Sequence, residues 1–177
     1  SKSKGNYTSP DIIIDKYGSD SLRLYLLSTP LVKGESYTFN EQELITHQKH
    51  VLVKLYNMTT FLVEKIQIYN LNNLNKFVPL NLKVIHDHGL LEKWIVSKSK
   101  NLILSIRNNM DKFKLSGNIN LIETYIEDLS NLYLRLNREK LKESCVYNMS
   151  VLYFLLDQLI RLLAPIIPYL SEECYHL

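Results

Sequence analysis

Apolar side chains return every three to four residues along most of this chain, which is the period of a half-buried helix. Leu44, Val51, Leu55, Met58, Leu62, Ile66 and Tyr69 form one such stripe, and Asn40 with Glu43 resembles a capping box at its start. The spacing therefore predicts a long helix from about Asn40 to Tyr69. A second stripe, Leu91, Trp94, Ile95, Leu102, Ile106 and Met110, predicts a helix beginning at Asp87 or His88 and ending near Lys112. A third, Ile119, Ile122, Ile126, Leu129, Tyr133 and Leu136, predicts one capped by Ser116 and running to about Lys142. A fourth spans about Glu143 to Leu163, where Pro165 and Pro168 break it, and a last helix begins in PYLSEECYHL.

The first forty residues read differently. Ser9 is placed to cap a short helix with Pro10 in its first turn, and Gly18 ends it. Ser19 or Asp20 opens a second short helix that Pro30 closes, and ESYTFN alternates like a short strand. Residues 70–86 are Asn-rich, contain Pro79 and read as a connector. The fold expected is mainly α: an antiparallel helical bundle preceded by a small segment.

Composition narrows the classes. Hydrophobic residues make up 46% of 177 positions, and Gly and Pro number only 5 each, which suits one core of long helices. A net charge of +3 permits an RNA or other anionic partner without requiring one. Cys145 and Cys174 form no C-x-x-C pair, which points to a reducing compartment and excludes a cysteine zinc site. Neither His86 with His88 nor His47 with His50 comes with a ligand pattern, so no metal site is expected. The apolar run VLYFLLDQLIRLLAPIIPYL carries Asp157, Gln158, Arg161 and two prolines, so it reads as a bundle helix and no membrane partner is expected. The polar start lacks a signal peptide, and a chain opening at Ser1 without Met is expected to be a piece of something larger.

The tetrapeptide SKSK occurs twice, at 1–4 and 97–100. The second copy falls mid-helix, with Lys98 and Lys100 on different sides, and reads as solvated helix surface. The first is followed by Gly5, Asn6 and the Ser9-Pro10 helix start. Point charges, hydroxyl donors and a pliant glycine there suit an anion-binding loop, although a polar tail is the commoner use of such residues.

The continuation decides between them. Ser1-Lys2-Ser3-Lys4-Gly5-Asn6, Pro10, Asp11, Lys16-Tyr17-Gly18, Asp20 and Leu22-Arg23 resemble the KMSKS signature loop of class I aminoacyl-tRNA synthetases and the segment after it. YGSDSLRLYLLSTPLVKGESYTF, Glu92-Lys93-Trp94-Ile95, the run Asp128-Leu129-Ser130-Asn131-Leu132-Tyr133-Leu134-Arg135-Leu136-Asn137-Arg138 and Leu163-Ala164-Pro165-Ile166-Ile167-Pro168-Tyr169 follow in order. Together they resemble isoleucyl-tRNA synthetases of the eukaryotic cytosolic and archaeal type. Leu132 departs from the family's usual Trp, and the arginine run after Asn137 is thinned to Arg138-Glu139-Lys140. Valyl-tRNA synthetase is the nearest alternative, but it typically has Tyr-Ile-Glu where Tyr133-Leu134-Arg135 stands. A free-standing helical RNA- or protein-binding module is the alternative from another class.

The resemblance implies residues 1–39 as the end of the signature loop with a stem-contact segment, and 40–177 as an anticodon-binding bundle. The parent enzyme would activate isoleucine with ATP and magnesium and load it onto tRNA(Ile) in the cytoplasm. Ser1, Lys2, Ser3 and Lys4 would contact ATP, with Lys2 catalytic. The nucleotide-binding sheet and the editing domain are not in this chain, so the fragment is expected to be inactive and to bind no cofactor. The rest of the parent chain would be its other partner. Asp128, Asn131, Arg135, Arg138 and Lys142 recur at helical spacing, and Arg135, Arg138 and Lys142 are the expected tRNA contacts.

Overall fold

The computed structural model describes residues 9–81, 89–115 and 117–177. Asp87, His88 and Ser116, expected as helix starts, lie outside the described residues. Helix α1 is Pro10–Tyr17 and α2 is Ser19–Ser28. Gly18 joins them at φ 84°, ψ 156°, a backbone conformation open essentially to glycine. Pro10 opens α1 as expected, but Ser9 makes no capping bond to the backbone: its hydroxyl donates to the Asp11 carboxylate at 3.2 Å. After a 3-10 turn at Pro30–Lys33, residues 35–40 run extended without becoming a strand. No second strand pairs with them among the described residues, and Phe39 packs edge-on against Tyr25 instead. Half of the expected capping box forms: Asn40 Oδ1 accepts from Gln42 N and Glu43 N at 3.0 and 3.4 Å, but Asn40 N donates to the Tyr25 hydroxyl at 2.8 Å and Glu43 accepts from the Asn40 side-chain amide instead.

The first long helix comprises α3 (Glu41–His47), a π-helical stretch (Gln48–Val53) and α4 (Lys54–Asn72). Helix α5 is Leu90–Asp111. The next is α6 (Asn118–Glu127) followed by a second π-helical stretch (Asp128–Leu134), and the short α7 (Arg138–Lys142) comes after it. Helices α8 (Val146–Leu163) and α9 (Pro168–His176) complete the chain.

Side-chain pairs reveal the directions. Lys98 meets Asp128 and Asn109 meets Asn118, so α5 and α6 run oppositely. Asn148 meets Glu92, so α8 starts beside the start of α5. His47 Nδ1 lies 2.6 Å from Glu123, and Lys54 pairs with Glu127, aligning the first long helix with α6. Successive long helices thus alternate in direction, as expected of the antiparallel bundle. The described part of the connector, 73–81, passes α8, where Leu80 N donates to Ser150 Oγ at 3.0 Å. Helix α8 is long and apolar enough by composition to cross a membrane, yet its inward face supplies Leu152, Leu155, Leu156, Leu159 and Leu163 to the core. Each such side chain is worth about 1.5–3 kcal/mol when fully buried.

The π turns alter the register. Buried positions on the third stripe fall at Leu129, Tyr133, Asn137 and Leu141, and Leu136, expected inside, is 58% exposed. A π turn carries more residues than an α turn, so the inward face recurs every four residues there rather than alternating three and four.

The N-terminal helices are tied to the far end of the chain. Asp20, 6% exposed, accepts from Leu170 N at 2.7 Å and Tyr169 N at 3.5 Å. Residue Ile167 at the start of α9 has no side-chain acceptor and Pro168 has no N–H, so Asp20 caps α9 from another helix. Arg23 donates its Nε to the Ile166 carbonyl (3.0 Å) and its Nη2 to the Pro165 carbonyl (2.9 Å), satisfying the corner after α8.

Asp20→Ala strips the acceptor from two helix-end N–H groups and is expected to lower stability by about 1–2 kcal/mol. Asp20→Asn, which keeps one acceptor oxygen, should cost less. Urea unfolding of the three proteins measures this, and equal midpoints for all three would contradict it.

Candidate nucleic-acid interface

Ser1, Lys2, Ser3 and Lys4 lie outside the described residues, as do Gly5 and Asn6. The other expected contacts sit at one pole of the bundle. Helix α2 packs against α3, α6 and α9 at the opposite pole. From Asn118 to Leu136 the third long helix spans up to about 27 Å at the α-helical rise of about 1.5 Å per residue, somewhat less through its π stretch. Arg135, Arg138 and Lys142 therefore stand well removed from α1 and the signature-type segment before it.

The five-residue row does not survive as one face. Asp128 turns to α5, where Lys98 Nζ reaches it at 3.0 Å, while Asn131 bonds Glu127, which also holds Lys54 of α4. These two side chains are occupied on opposite shoulders of the helix, because the π stretch rotates positions away from 3.6-residue spacing. The basic half remains. Arg135 and Arg138 are exposed and make no hydrogen bond or ion pair among the described residues. Lys142 is paired with Glu139 on its own helix at 2.9 Å. That hydrogen bond, with smaller contributions from the Lys142 and Arg138 charges, holds the Glu139 carboxyl below its ordinary range. Two unpaired guanidinium groups offer planar donor forks suited to phosphate oxygens or to stacking on bases. The thinned arginine run leaves Glu139 among them, which reduces the local positive charge.

The second SKSK is divided as expected between sides. Lys98 pairs with Asp128 and lies 5.7 Å from the Trp94 ring centre; Ser99 is buried; Lys100 is exposed beside α8. Trp94 itself is half-buried against the core. Among the described residues no His, Cys, Asp and Glu cluster has the makings of a metal site.

Beneath the arginines lies a polar network that sequence reasoning missed. Asn148 Nδ2 donates to Glu92 Oε1 at 3.3 Å and to Asn137 Oδ1 at 3.2 Å, and Asn137 Nδ2 donates to the Tyr133 carbonyl at 3.3 Å. Glu92, Asn137 and Asn148 are 4%, 1% and 2% exposed. The Tyr133 hydroxyl is buried beside them without a hydrogen bond among the described residues. Burial, then the Glu92 charge, raises its pKa well above the ordinary phenol value. The available signal was Asn148 itself, an amide in register with the core positions Leu152, Leu155 and Leu159 of α8. Glu92 also crowds the start of α5: a Cβ on Gly89 would stand 2.4 Å from its Oε2.

Residues 92–177 match the family described as the anticodon-binding domain of tRNA ligase, and residues 1–38 match the class I tRNA synthetases of the I, L, M and V group. The C-terminal half of the chain is thus the anticodon-binding domain of a class I tRNA ligase. Within that class it is similar to isoleucine–tRNA ligases along almost its whole length. The cytoplasmic enzyme of Caenorhabditis elegans is 33% identical over 97% of this chain and 15% of its own length. Those of Mus musculus and Saccharomyces cerevisiae are 33% and 32% identical over 99% of this chain, and over 14% and 17% of their own lengths. The chain therefore spans about a sixth of these relatives. A solved LeuRS of Agrobacterium radiobacter K84, in a ternary complex with tRNA and LeuAMS, shares the fold. Its TM-score is 0.70 at 20% identity, over 99% of this chain and 20% of that one.

Gly89→Ala places a methyl group against a carboxylate that is already hydrogen-bonded and buried. It should cost about 1–3 kcal/mol through displacement of Glu92. In a Glu92→Ala background the same change should cost markedly less, a double-mutant cycle read by chemical unfolding. Equal costs in both backgrounds would show that the crowding is not what matters at Gly89.

Proposed function

We propose that this chain is the tRNA-binding portion of an isoleucine–tRNA ligase whose whole chain activates isoleucine with ATP and transfers it to tRNA(Ile). The observation that carries this reading is similarity to isoleucine–tRNA ligases, in order, through both the signature-type segment and the bundle. The geometry suits it. Unpaired Arg135 and Arg138 are held on a rigid bundle at the pole away from α1, as a protein gripping tRNA far from its catalytic loop requires. The division into 1–39, joined to the catalytic body, and 40–177, the anticodon-binding bundle, belongs to the same proposal, as does a cytoplasmic location.

In that enzyme Ser1, Lys2, Ser3 and Lys4 contact the ATP phosphates, and Lys2 offsets charge that develops on them in the transition state. Adenylation needs an isoleucine pocket and an adenosine site, and no residues of this chain are assigned to either, so the isolated chain is proposed to be inactive. In the full-length ligase, Lys2→Ala should lower isoleucine-dependent pyrophosphate exchange by about two orders of magnitude or more, mainly in kcat. Lys98→Ala, in the other SKSK, should leave the rate near that of the unaltered enzyme. Similar losses from the two changes would contradict the assignment.

Arg135 and Arg138, with Lys142 adding charge, contact the anticodon stem-loop. Arg135→Ala should raise KM for tRNA(Ile) while leaving pyrophosphate exchange alone, because activation precedes tRNA use. For a phosphate contact, the slope of log affinity against log salt should fall by about 0.7–0.9. For a base contact, discrimination against non-cognate tRNA should drop by about 1–3 kcal/mol. Unchanged affinity throughout a salt series would remove Arg135 from the interface.

A further inference from the structure

Asn137 lies between the two unpaired arginines and interrupts the helix that carries them. Its φ of −96° and ψ of 7° depart from helical values, and α7 begins at the next residue. Both ends of its side-chain amide are engaged, Oδ1 by Asn148 and Nδ2 by the Tyr133 carbonyl. Asn148 in turn spends its amide donors on acceptors from two different helices.

The chemistry of these groups leaves little freedom. A carboxylate only accepts, so Glu92 requires the NH2 end of Asn148 to face it. The same NH2 then points at Asn137 Oδ1. That turns the Asn137 NH2 toward the Tyr133 carbonyl, one turn back on its own helix. The amide orientation at the interruption is thereby dictated from α5 through α8. A buried polar network of this kind gives little net stability over an apolar core of the same volume, but it discriminates between backbone arrangements.

We propose that Asn148 and Asn137 are positioning residues, oriented by Glu92, which set the direction in which α7 leaves α6. They thereby hold Arg138 and Lys142 at a fixed spacing from Arg135 for contact with the phosphates of an RNA strand. The inference rests on the tRNA-binding reading above. It adds to that reading the residues that align the contacts without touching the RNA.

The test is a double-mutant cycle in the full-length ligase, with a tRNA(Ile) transcript as the probe and binding followed across a salt series. Asn148→Leu should raise Kd at low salt by about tenfold and reduce the salt slope by about 0.7–0.9 for each phosphate contact misaligned. Arg138→Ala should weaken binding on its own, yet in the Asn148→Leu background change Kd by no more than about twofold, since the contact it removes is already lost. Additive effects of the two changes would overturn the positioning role while leaving the tRNA reading intact. No effect of Arg135→Ala or Arg138→Ala in otherwise unaltered enzyme would overturn the tRNA reading and this inference with it. Circular dichroism checks that each variant is folded. If Asn148→Leu is not, Asn148→Ser takes its place in the cycle, with coupling supporting the role and additivity overturning it.

Discussion

The arrangement of this molecule depends on two side chains from the same turn of α2, which grip a corner almost 150 residues later. Asp20 supplies the acceptor that α9 lacks at its own start, and Arg23 supplies donors to carbonyls left open where α8 ends. A helix end buried against another element must have its backbone groups satisfied. Pro165 and Pro168 worsen the shortage by removing N–H groups from the corner. The consequence is mechanical. The segment that follows the signature-type residues is attached directly to the α8–α9 corner, not to a flexible tether. Lys16 and Tyr17, both bonded to Glu41, add a second attachment to α3.

At the other pole the constraint is a buried negative charge. Removing a carboxylate from water costs several kcal/mol unless donors replace the lost solvation. Among the described residues Asn148 donates to Glu92, and satisfying it brings Asn137 into the same arrangement. The interruption between α6 and α7 is thus the place where α5 and α8 act on the helix carrying the unpaired arginines. The adjoining acidic residues are largely occupied: Asp128 by Lys98, Glu127 by Lys54, Glu139 by Lys142. Among the described residues, Arg135, Arg138 and Lys140 remain exposed there without an ion-pair partner. A chain with a net charge of only +3 thus presents a local basic feature, because the acidic groups nearest the arginines are already engaged by lysines.

The helices, the Asn40 cap, the glycine between α1 and α2, and the inward stripes were legible in the sequence, because helical period and end chemistry act over a few residues. The residue patterns resembling class I synthetases were equally legible, since they are carried by side-chain identity and spacing alone. The tertiary structure decided everything that depends on a partner distant along the chain. It turned the expected strand at ESYTFN into an extended run, because a strand needs a neighbour to pair with and none comes alongside among the described residues. It widened two helices into π turns, which moved Leu136 outward and split Asp128 and Asn131 from the arginines they were grouped with. It gave Asp20, Arg23, Glu92, Asn137 and Asn148 their tasks, which no local pattern states. Periodicity reports which side of a helix faces inward; only packing determines which group from another helix meets it there, and a buried polar atom takes its role from that meeting.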